Sequence, residues 1–152
     1  MATTPKTKKG LKFTRLFTKE NVSPFDQFDY DYRDSVIKNP NGEKVFEMTN
    51  VEVPKQWSQI ATDILAQKYF RKAGVPQVDG SLGRETTVKQ VAHRMANCWR
   101  VWGERYGYFA TEQDAQTFYE ELVYSILNQA CVPNSPQWFN TGLHESLSLI
   151  HI

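Results

Sequence analysis

Residues 87–103 have the sequence TVKQVAHRMANCWRVWG, and this stretch decides the fold class. Its apolar residues recur at steps of three and four, the spacing that places side chains on one face of an α-helix. These apolar residues are Val88, Val91, Ala92, Met95, Trp99 and Trp102. Because Thr86 or Thr87 suits an N-cap and Gly103 a helix end, we predict an amphipathic helix between them. The opposite face is polar and is expected to be solvated; it comprises Lys89, Gln90, His93, Arg94, Asn97 and Arg100.

The segment before this helix is expected to hold another helix and, ahead of that, a β-hairpin. Apolar residues from Trp57 to Tyr69 recur at three- and four-residue steps, up to a break at Gly74. Further upstream, apolar and charged residues alternate on either side of an Asn41-Gly42 turn. Alternation around such a turn is typical of two antiparallel strands, so we predict a hairpin there.

A third helix is predicted from Glu112 to about Val132. Thr111 and Asp114 have the spacing of a capping box, a wide apolar stripe follows them, and Pro133 ends the helix. The helical faces are expected to pack on one another, with buried positions that include Trp99, Phe118 and Leu122. The predicted fold class is therefore mainly α with an N-terminal β-hairpin.

Composition excludes several classes of protein. A net charge of +1 over 152 residues gives no general reason to expect a nucleic-acid or anionic-membrane partner. No apolar run approaches the roughly 18 residues that span a bilayer. The two cysteines, Cys98 and Cys131, have neither disulfide-framework nor zinc-site spacing and are expected to be buried thiols. We find no metal site and no self-contained catalytic motif, so no residue of this chain is assigned a catalytic role.

Basic residues are concentrated at the start of the chain. Residues 1–19 hold six Lys or Arg side chains and no acid, and we expect residues 1–24 to form a basic, flexible leader. One alternative is a stand-alone helical binding module whose leader docks on nucleic acid or an acidic protein. Another is a structural or assembly domain that binds no ligand.

One segment has the character of a binding loop: residues 133–142, PNSPQWFNTG. Pro133 and Pro136 restrict the backbone to a rigid path, predicted to be non-helical, from which the Asn134 amide and the Ser135 hydroxyl project. Rigid loops hold ligands well. The alternative is a tight helix-exit turn in which both side chains bond only to local backbone.

Residues 133–143, PNSPQWFNTGL, resemble a segment near the end of the N-terminal region of adenosylcobalamin-dependent (vitamin B12-dependent, class II) ribonucleotide reductases. Three further stretches resemble the same family in the same order: residues 51–59, 64–72 and 102–109. The resemblance therefore covers nearly everything from about Gly10 to Leu143. Four stretches in register make accidental similarity improbable, and residues 25–143 are interpreted as the N-terminal helical region of such a reductase.

The resemblance implies a function for the parent enzyme. Members of the family convert ribonucleotides to 2′-deoxyribonucleotides for DNA synthesis by a cobalamin-initiated thiyl-radical mechanism, on a ten-stranded α/β barrel. The resemblance also implies adenosylcobalamin as cofactor, a ribonucleotide substrate, a thioredoxin-type reductant and a cytoplasmic location. Ser135, and more weakly Asn134, would contact the phosphate or ribose side of the nucleotide. The sequence does not decide whether the substrate is a diphosphate or a triphosphate, how the parent is allosterically controlled, or whether it is a monomer or a homodimer.

The chain departs from the family in one respect that matters for chemistry. The radical-bearing cysteine and the redox cysteine pair of the family lie downstream of the PNSP motif, where only residues 144–152 remain here. This fragment is therefore expected to be inactive by itself. Residues 147–152, LSLIHI, are also what CTG TCT CTT ATA CAC ATC encodes, the end sequence of a transposon adaptor. We interpret residues 144–152 as a non-native tail, the alternative being a natural short amphipathic tail.

Overall fold

The computed structural model describes residues 9–146. In chain order it comprises a 3-10 turn (Pro24–Gln27), strands β1 (Tyr30–Lys38) and β2 (Lys44–Pro54), helix α1 (Gln59–Ile64), a π-helical turn (Leu65–Tyr69), strands β3 (Val75–Pro76) and β4 (Leu82–Gly83), and helices α2 (Val88–Arg105), α3 (Glu112–Leu127), α4 (Ser135–Asn140) and α5 (Leu143–Ser146). This helix-rich architecture with an N-terminal β-hairpin confirms the predicted fold class. The described strands form two separate two-stranded sheets, so the ten-stranded barrel of the parent stays a prediction.

The hairpin forms where the Asn41-Gly42 turn was predicted. Strands β1 and β2 pair antiparallel, with Val36 opposite Glu47. The Asn39 side chain accepts hydrogen bonds from the backbone N–H groups of Asn41 (3.1 Å) and Glu43 (3.0 Å), and Gly42 takes the positive φ that the turn requires. Strand β2 carries the buried face of the hairpin, through Met48, Val51 and Val53. The hairpin thus contributes one wall of the core.

Helix α2 occupies the centre of the core. The predicted N-cap is confirmed, since Thr87 and Gln90 form a capping box. The apolar face of α2 packs against α3 and the hairpin, with Val91 and Met95 fully buried. Burial of such a side chain contributes about 1.5–3 kcal/mol to folding. The helix runs two residues past Gly103, to Arg105.

Three side chains predicted to be buried are only half-buried. Trp99 and Leu122 lie at the edge of the main core. Phe118 belongs to a separate aromatic cluster, in which its ring lies 5.2 Å from Phe13 and 5.3 Å from Phe109 between centroids. That cluster joins Phe13, near the chain start, to residues 109 and 118, so the helical pattern of α3 alone could not assign Phe118 to it.

The first helix begins at Gln59 rather than near Trp57. The Ser58 hydroxyl accepts a hydrogen bond from the Ala61 N–H (3.1 Å) and caps the helix. Trp57 precedes this cap and turns inward, where its indole N–H donates to the Leu127 carbonyl (2.7 Å). The helix closes in a π-helical turn that ends at Tyr69, and β3 and β4 form a small hairpin between this turn and α2.

Helix α3 ends at Leu127, five residues before the predicted end at Val132. In a longer helix the Leu127 carbonyl would accept from the N–H of Cys131. Here it accepts from the Trp57 indole, and the Cys131 N–H donates to the Ser125 carbonyl (3.1 Å). Gln129 then adopts a positive φ of 57°, which no helix continues through. Cys131 therefore lies on a loop and is exposed, so the prediction of two buried thiols was wrong for Cys131 and is confirmed for Cys98.

The described part of the basic N-terminal segment, residues 9–24, packs against α3 instead of forming a flexible leader. The Phe13 N–H donates to Asp114 (2.9 Å), Arg15 forms an ion pair with Glu120, and the Thr18 hydroxyl donates to Glu121 (2.6 Å). Burial alone would raise the pKa of Glu121, but hydrogen bonds led by those of Thr18 outweigh it and lower that pKa. Residues 1–8 and 147–152 lie outside the described residues, as does most of the tail expected to be non-native.

Candidate functional site

A cleft opens between the first helix and the segment that follows α3. Its volume is 390 Å³, within the range of about 300–1,000 Å³ typical of small-molecule sites. Apolar side chains form most of its wall, and Tyr69, Gln129, Asn134 and Ser135 add polar groups. The lining residues are Trp57, Ala61, Ile64, Leu65, Tyr69, Ile126, Gln129, Val132, Pro133, Asn134, Ser135 and Trp138. An apolar cleft with a few convergent polar groups suits a ligand that has both a flat apolar part and a polar part.

Both candidate site residues lie in this cleft, but the backbone that carries them differs from the prediction. Residues 135–140 form helix α4, with Asn134 at the N-cap and Ser135 as the first helical residue. The non-helical path predicted from the two prolines is therefore wrong. Pro136 is the second residue of α4, where a missing N–H breaks no intrahelical hydrogen bond, so proline starts this helix instead of preventing it. Asn134 and Ser135 are both exposed toward the cleft.

The Ser135 hydroxyl has a specific partner across the cleft. Its Oγ lies 2.9 Å from the phenol oxygen of Tyr69, so a hydrogen bond joins the π-helical turn to α4. The Tyr69 ring also stacks on Trp138, with centroids 5.4 Å apart and planes 17° from parallel. The Trp138 indole N–H donates in turn to the Pro133 carbonyl (2.7 Å). These contacts hold the two hydroxyl groups side by side. The alternative of a tight helix-exit turn, in which Ser135 would bond only to local backbone, is therefore wrong for Ser135.

A buried arginine lies beneath the cleft. Arg94 of α2 is 2% exposed, and its guanidinium donates to the backbone carbonyls of Tyr69 (3.2 Å), Trp138 and Thr141 (2.9 Å). Its Nε donates to Glu85 Oε1 (2.6 Å), and Glu85 is itself 1% exposed. The sequence pattern placed Arg94 on the solvated face of its helix, and that prediction was wrong.

The ion pair between Arg94 and Glu85 makes this burial possible. Two opposite charges with well-aligned hydrogen bonds offset part of the cost of removing each charge from water. Glu85 accepts a further bond from the Arg71 N–H (2.8 Å), so both ends of the pair are tied to backbone. The pair therefore connects α2 and the loop before it to both walls of the cleft.

Sequence reasoning missed Tyr69 and Arg94 as parts of the site. Tyr69 was assigned to the apolar stripe of the first helix, and its hydroxyl was not considered. For Arg94 a signal was present: it lies three residues after Val91 and four before Cys98, both of which are buried. Residues at those spacings are neighbours on a helix, so Arg94 lies at the border of the apolar face.

His93, predicted to be solvated, is exposed, although its Nδ1 lies 2.7 Å from the Tyr119 hydroxyl. Within residues 9–146, no group of three or more His, Cys, Asp or Glu side chains is arranged to hold a metal ion. In the same part of the chain, no helix is both long enough and apolar enough to cross a membrane.

The sequence of the chain is similar to those of known proteins. Residues 31–129 match the sequence model of a family described as class II vitamin B12-dependent ribonucleotide reductase. A vitamin B12-dependent ribonucleotide reductase of Bradyrhizobium diazoefficiens is 43% identical over 88% of this chain. Proteins of the same name from Agrobacterium fabrum and Streptomyces clavuligerus are 41% and 42% identical over 88% and 90% of the chain. The chain spans only 13–14% of the length of these relatives.

Proposed function

Because the chain belongs to the class II vitamin B12-dependent ribonucleotide reductase family, we propose that it is the N-terminal part of an enzyme that reduces ribonucleotides to 2′-deoxyribonucleotides. The observation that carries the proposal is the pair of hydroxyl groups of Ser135 and Tyr69 at the mouth of the cleft. In this proposal the Ser135 hydroxyl contacts the phosphate or ribose of the nucleotide, and the Asn134 amide is a second polar contact.

The chemistry of the two hydroxyls suits such a ligand. Each can donate one hydrogen bond and accept others, so both can turn from each other toward a phosphate oxygen or a ribose hydroxyl. Hydrogen bonds to a charged phosphate oxygen are stronger than those between neutral groups. The stacked Tyr69 and Trp138 rings limit how far the hydroxyls can move, which reduces the entropy lost on binding.

The cobalamin cofactor does not fit the cleft of this chain. At 390 Å³ the cleft has the size of a site for a small ligand, and a corrin ring with its nucleotide tail is too large for it. Adenosylcobalamin and the radical chemistry that it supplies are therefore proposed for the parent enzyme only. A thioredoxin-type reductant and a cytoplasmic location are proposed for the parent on the same family grounds.

Apolar side chains around the cleft support the proposal of a larger parent. Ile60 is 72% exposed and Val132 is 64% exposed, and Ile64 and Phe139 add to the same region. Such exposed apolar surface near a cleft favours a covering partner. A parent several times longer than this chain would supply one. Of the basic residues of the leader, Arg15 is engaged in an ion pair with Glu120.

The test is Ser135→Ala in the full-length reductase that carries this region. Losing one hydrogen bond should raise the dissociation constant for the nucleotide by the equivalent of roughly 0.5–3 kcal/mol, the upper end applying to a charged phosphate oxygen. Calorimetric titration with CDP and with CTP measures the change and distinguishes the two substrate levels.

The matched control for this test is Ser125→Ala. Ser125 lies on α3 and does not line the cleft, and its hydroxyl donates to the Glu121 carbonyl of the same helix (2.7 Å). This variant should leave the nucleotide affinity unchanged. If Ser135→Ala also leaves the affinity unchanged, Ser135 is a structural residue and the substrate contact is wrong.

A further inference from the structure

We propose that Arg94, paired with Glu85, is a positioning residue that holds the Ser135 hydroxyl in place for substrate. This inference rests on the proposed function, because it assigns a role within the same site. Arg94 does not line the cleft, so it acts through the segments that do.

The three carbonyls that Arg94 binds belong to the two walls of the cleft. Tyr69 ends the π-helical turn, Trp138 lies within α4, and Thr141 follows α4 directly. The two hydroxyls at the cleft mouth are carried by Tyr69 and Ser135, so each stands on a segment whose backbone Arg94 anchors. A shift of one wall relative to the other would separate the hydroxyls, and Arg94 prevents that shift.

Arginine is suited to this role for geometric reasons. Its planar guanidinium carries five N–H donors directed outward, so one side chain reaches acceptors on several sides. Here it serves Glu85 and three carbonyls at once. Lysine has one nitrogen at the end of a flexible chain and cannot reach the same acceptors. Arg94→Lys therefore retains the charge opposite Glu85 while it loosens α4.

Gly142 offers a second way to displace α4. It follows Thr141 with a φ of +77°, and a Cβ atom on it would lie 2.2 Å from the Arg94 carbonyl oxygen. Gly142→Ala must therefore move this segment away from α2. It keeps both charges of the Arg94–Glu85 pair but moves Thr141, whose carbonyl the guanidinium binds, so it displaces α4 without removing a member of the buried ion pair.

A double-mutant cycle in the full-length reductase tests the proposal. Arg94→Lys and Ser135→Ala are made singly and together, and nucleotide affinity is titrated with CDP and CTP. Because Arg94 is proposed to act through the Ser135 contact, we expect Arg94→Lys alone to weaken binding by up to the fold-change that Ser135→Ala produces. If Arg94 acts through Ser135, the nucleotide affinity of the double variant is no lower than that of whichever single variant has the lower affinity. Independent effects would instead multiply. Arg100→Lys, on the same helix with Asn97 and Glu104 as partners, should change nothing.

Two further measurements keep the outcome decisive. If Arg94→Lys does not fold, Gly142→Ala replaces it in the cycle with the same expected result. In the 152-residue chain, Arg94→Lys should accelerate amide hydrogen exchange in residues 133–142 while the hairpin of residues 30–54 stays protected. Multiplying effects, or unchanged exchange in residues 133–142, would overturn the proposal. A wild-type parent that binds no nucleotide would instead refute the proposed function.

Discussion

Replacement of Arg94 by methionine should be among the most destabilising single changes in this chain. The variant leaves Glu85, which is 1% exposed, as a buried charge without its partner. Removing one member of a buried ion pair costs about 3–5 kcal/mol. Because domains are stable by only about 5–15 kcal/mol, this is a large share of the total free energy of unfolding.

Urea denaturation of the purified chain, followed by far-UV circular dichroism, measures this cost. The control is Arg100→Met, on the same helix, where the side chain is 29% exposed and its ion pair with Glu104 is long at 3.8 Å. Exposed pairs of this kind contribute at most about 1 kcal/mol. If Arg94→Met costs no more than Arg100→Met, the buried pair is not the anchor that we infer.

A double variant separates the charge from the hydrogen bonds. Glu85→Gln combined with Arg94→Met removes both charges, so part of the loss should be recovered. Recovery should be incomplete, because the carbonyls of Trp138 and Thr141 still lack their donor, and an unsatisfied buried group costs about 1–3 kcal/mol. Full recovery would refute a role for these carbonyl contacts.

Three other outcomes are expected. Trp57→Phe should lower the free energy of unfolding by about 1–3 kcal/mol, because the buried Leu127 carbonyl loses its donor, whereas Trp102→Phe, at a position 43% exposed, should have little effect in the same urea titration. The folded-state pKa of Glu121 lies below its ordinary value of 4.5, so the stability that Glu121 contributes is present above 4.5 and is lost as the pH falls through the folded pKa. Thermal unfolding measured between pH 7 and 3 should therefore show a steeper loss of stability with falling pH for the wild type than for Glu121→Gln. Parallel curves would contradict this. Finally, the 152-residue chain with adenosylcobalamin, a ribonucleotide and a dithiol should form no deoxynucleotide, because its two cysteines cannot fill the three thiol roles of the family; product formation would refute that assignment.

Local patterns in the sequence were sufficient for the main elements. The Asn41-Gly42 turn, the Thr87 cap of α2 and the Thr111 cap of α3 each depend on side chains within a few residues of one another. The structure confirms all three. Residues 133–142 were likewise predicted to be a binding segment from their residue types and from family resemblance, and that role stays a prediction.

Long-range contacts decided the features that were predicted wrongly. Helix α3 ends at Leu127, and the Trp57 indole, seventy residues away in sequence, donates to the Leu127 carbonyl at this helix end. Residues 9–24 pack on α3 because Asp114, Glu120 and Glu121 on that helix face the chain start. No local pattern carries such information, since each partner pairs only once the chain has folded.

The sequence by itself determined the presence of the first three helices, the hairpin and the residue types at the cleft. Only the tertiary structure decided that Ser135 meets Tyr69 and that Arg94 lies buried beneath both. The physical reason lies in what each prediction depends on. Helical periodicity sorts side chains by polarity, so it assigns a charged residue to solvent unless a partner is known. The partners of Arg94 are Glu85 and the three carbonyls. These groups come together only when α2, α4 and the π-helical turn pack against one another.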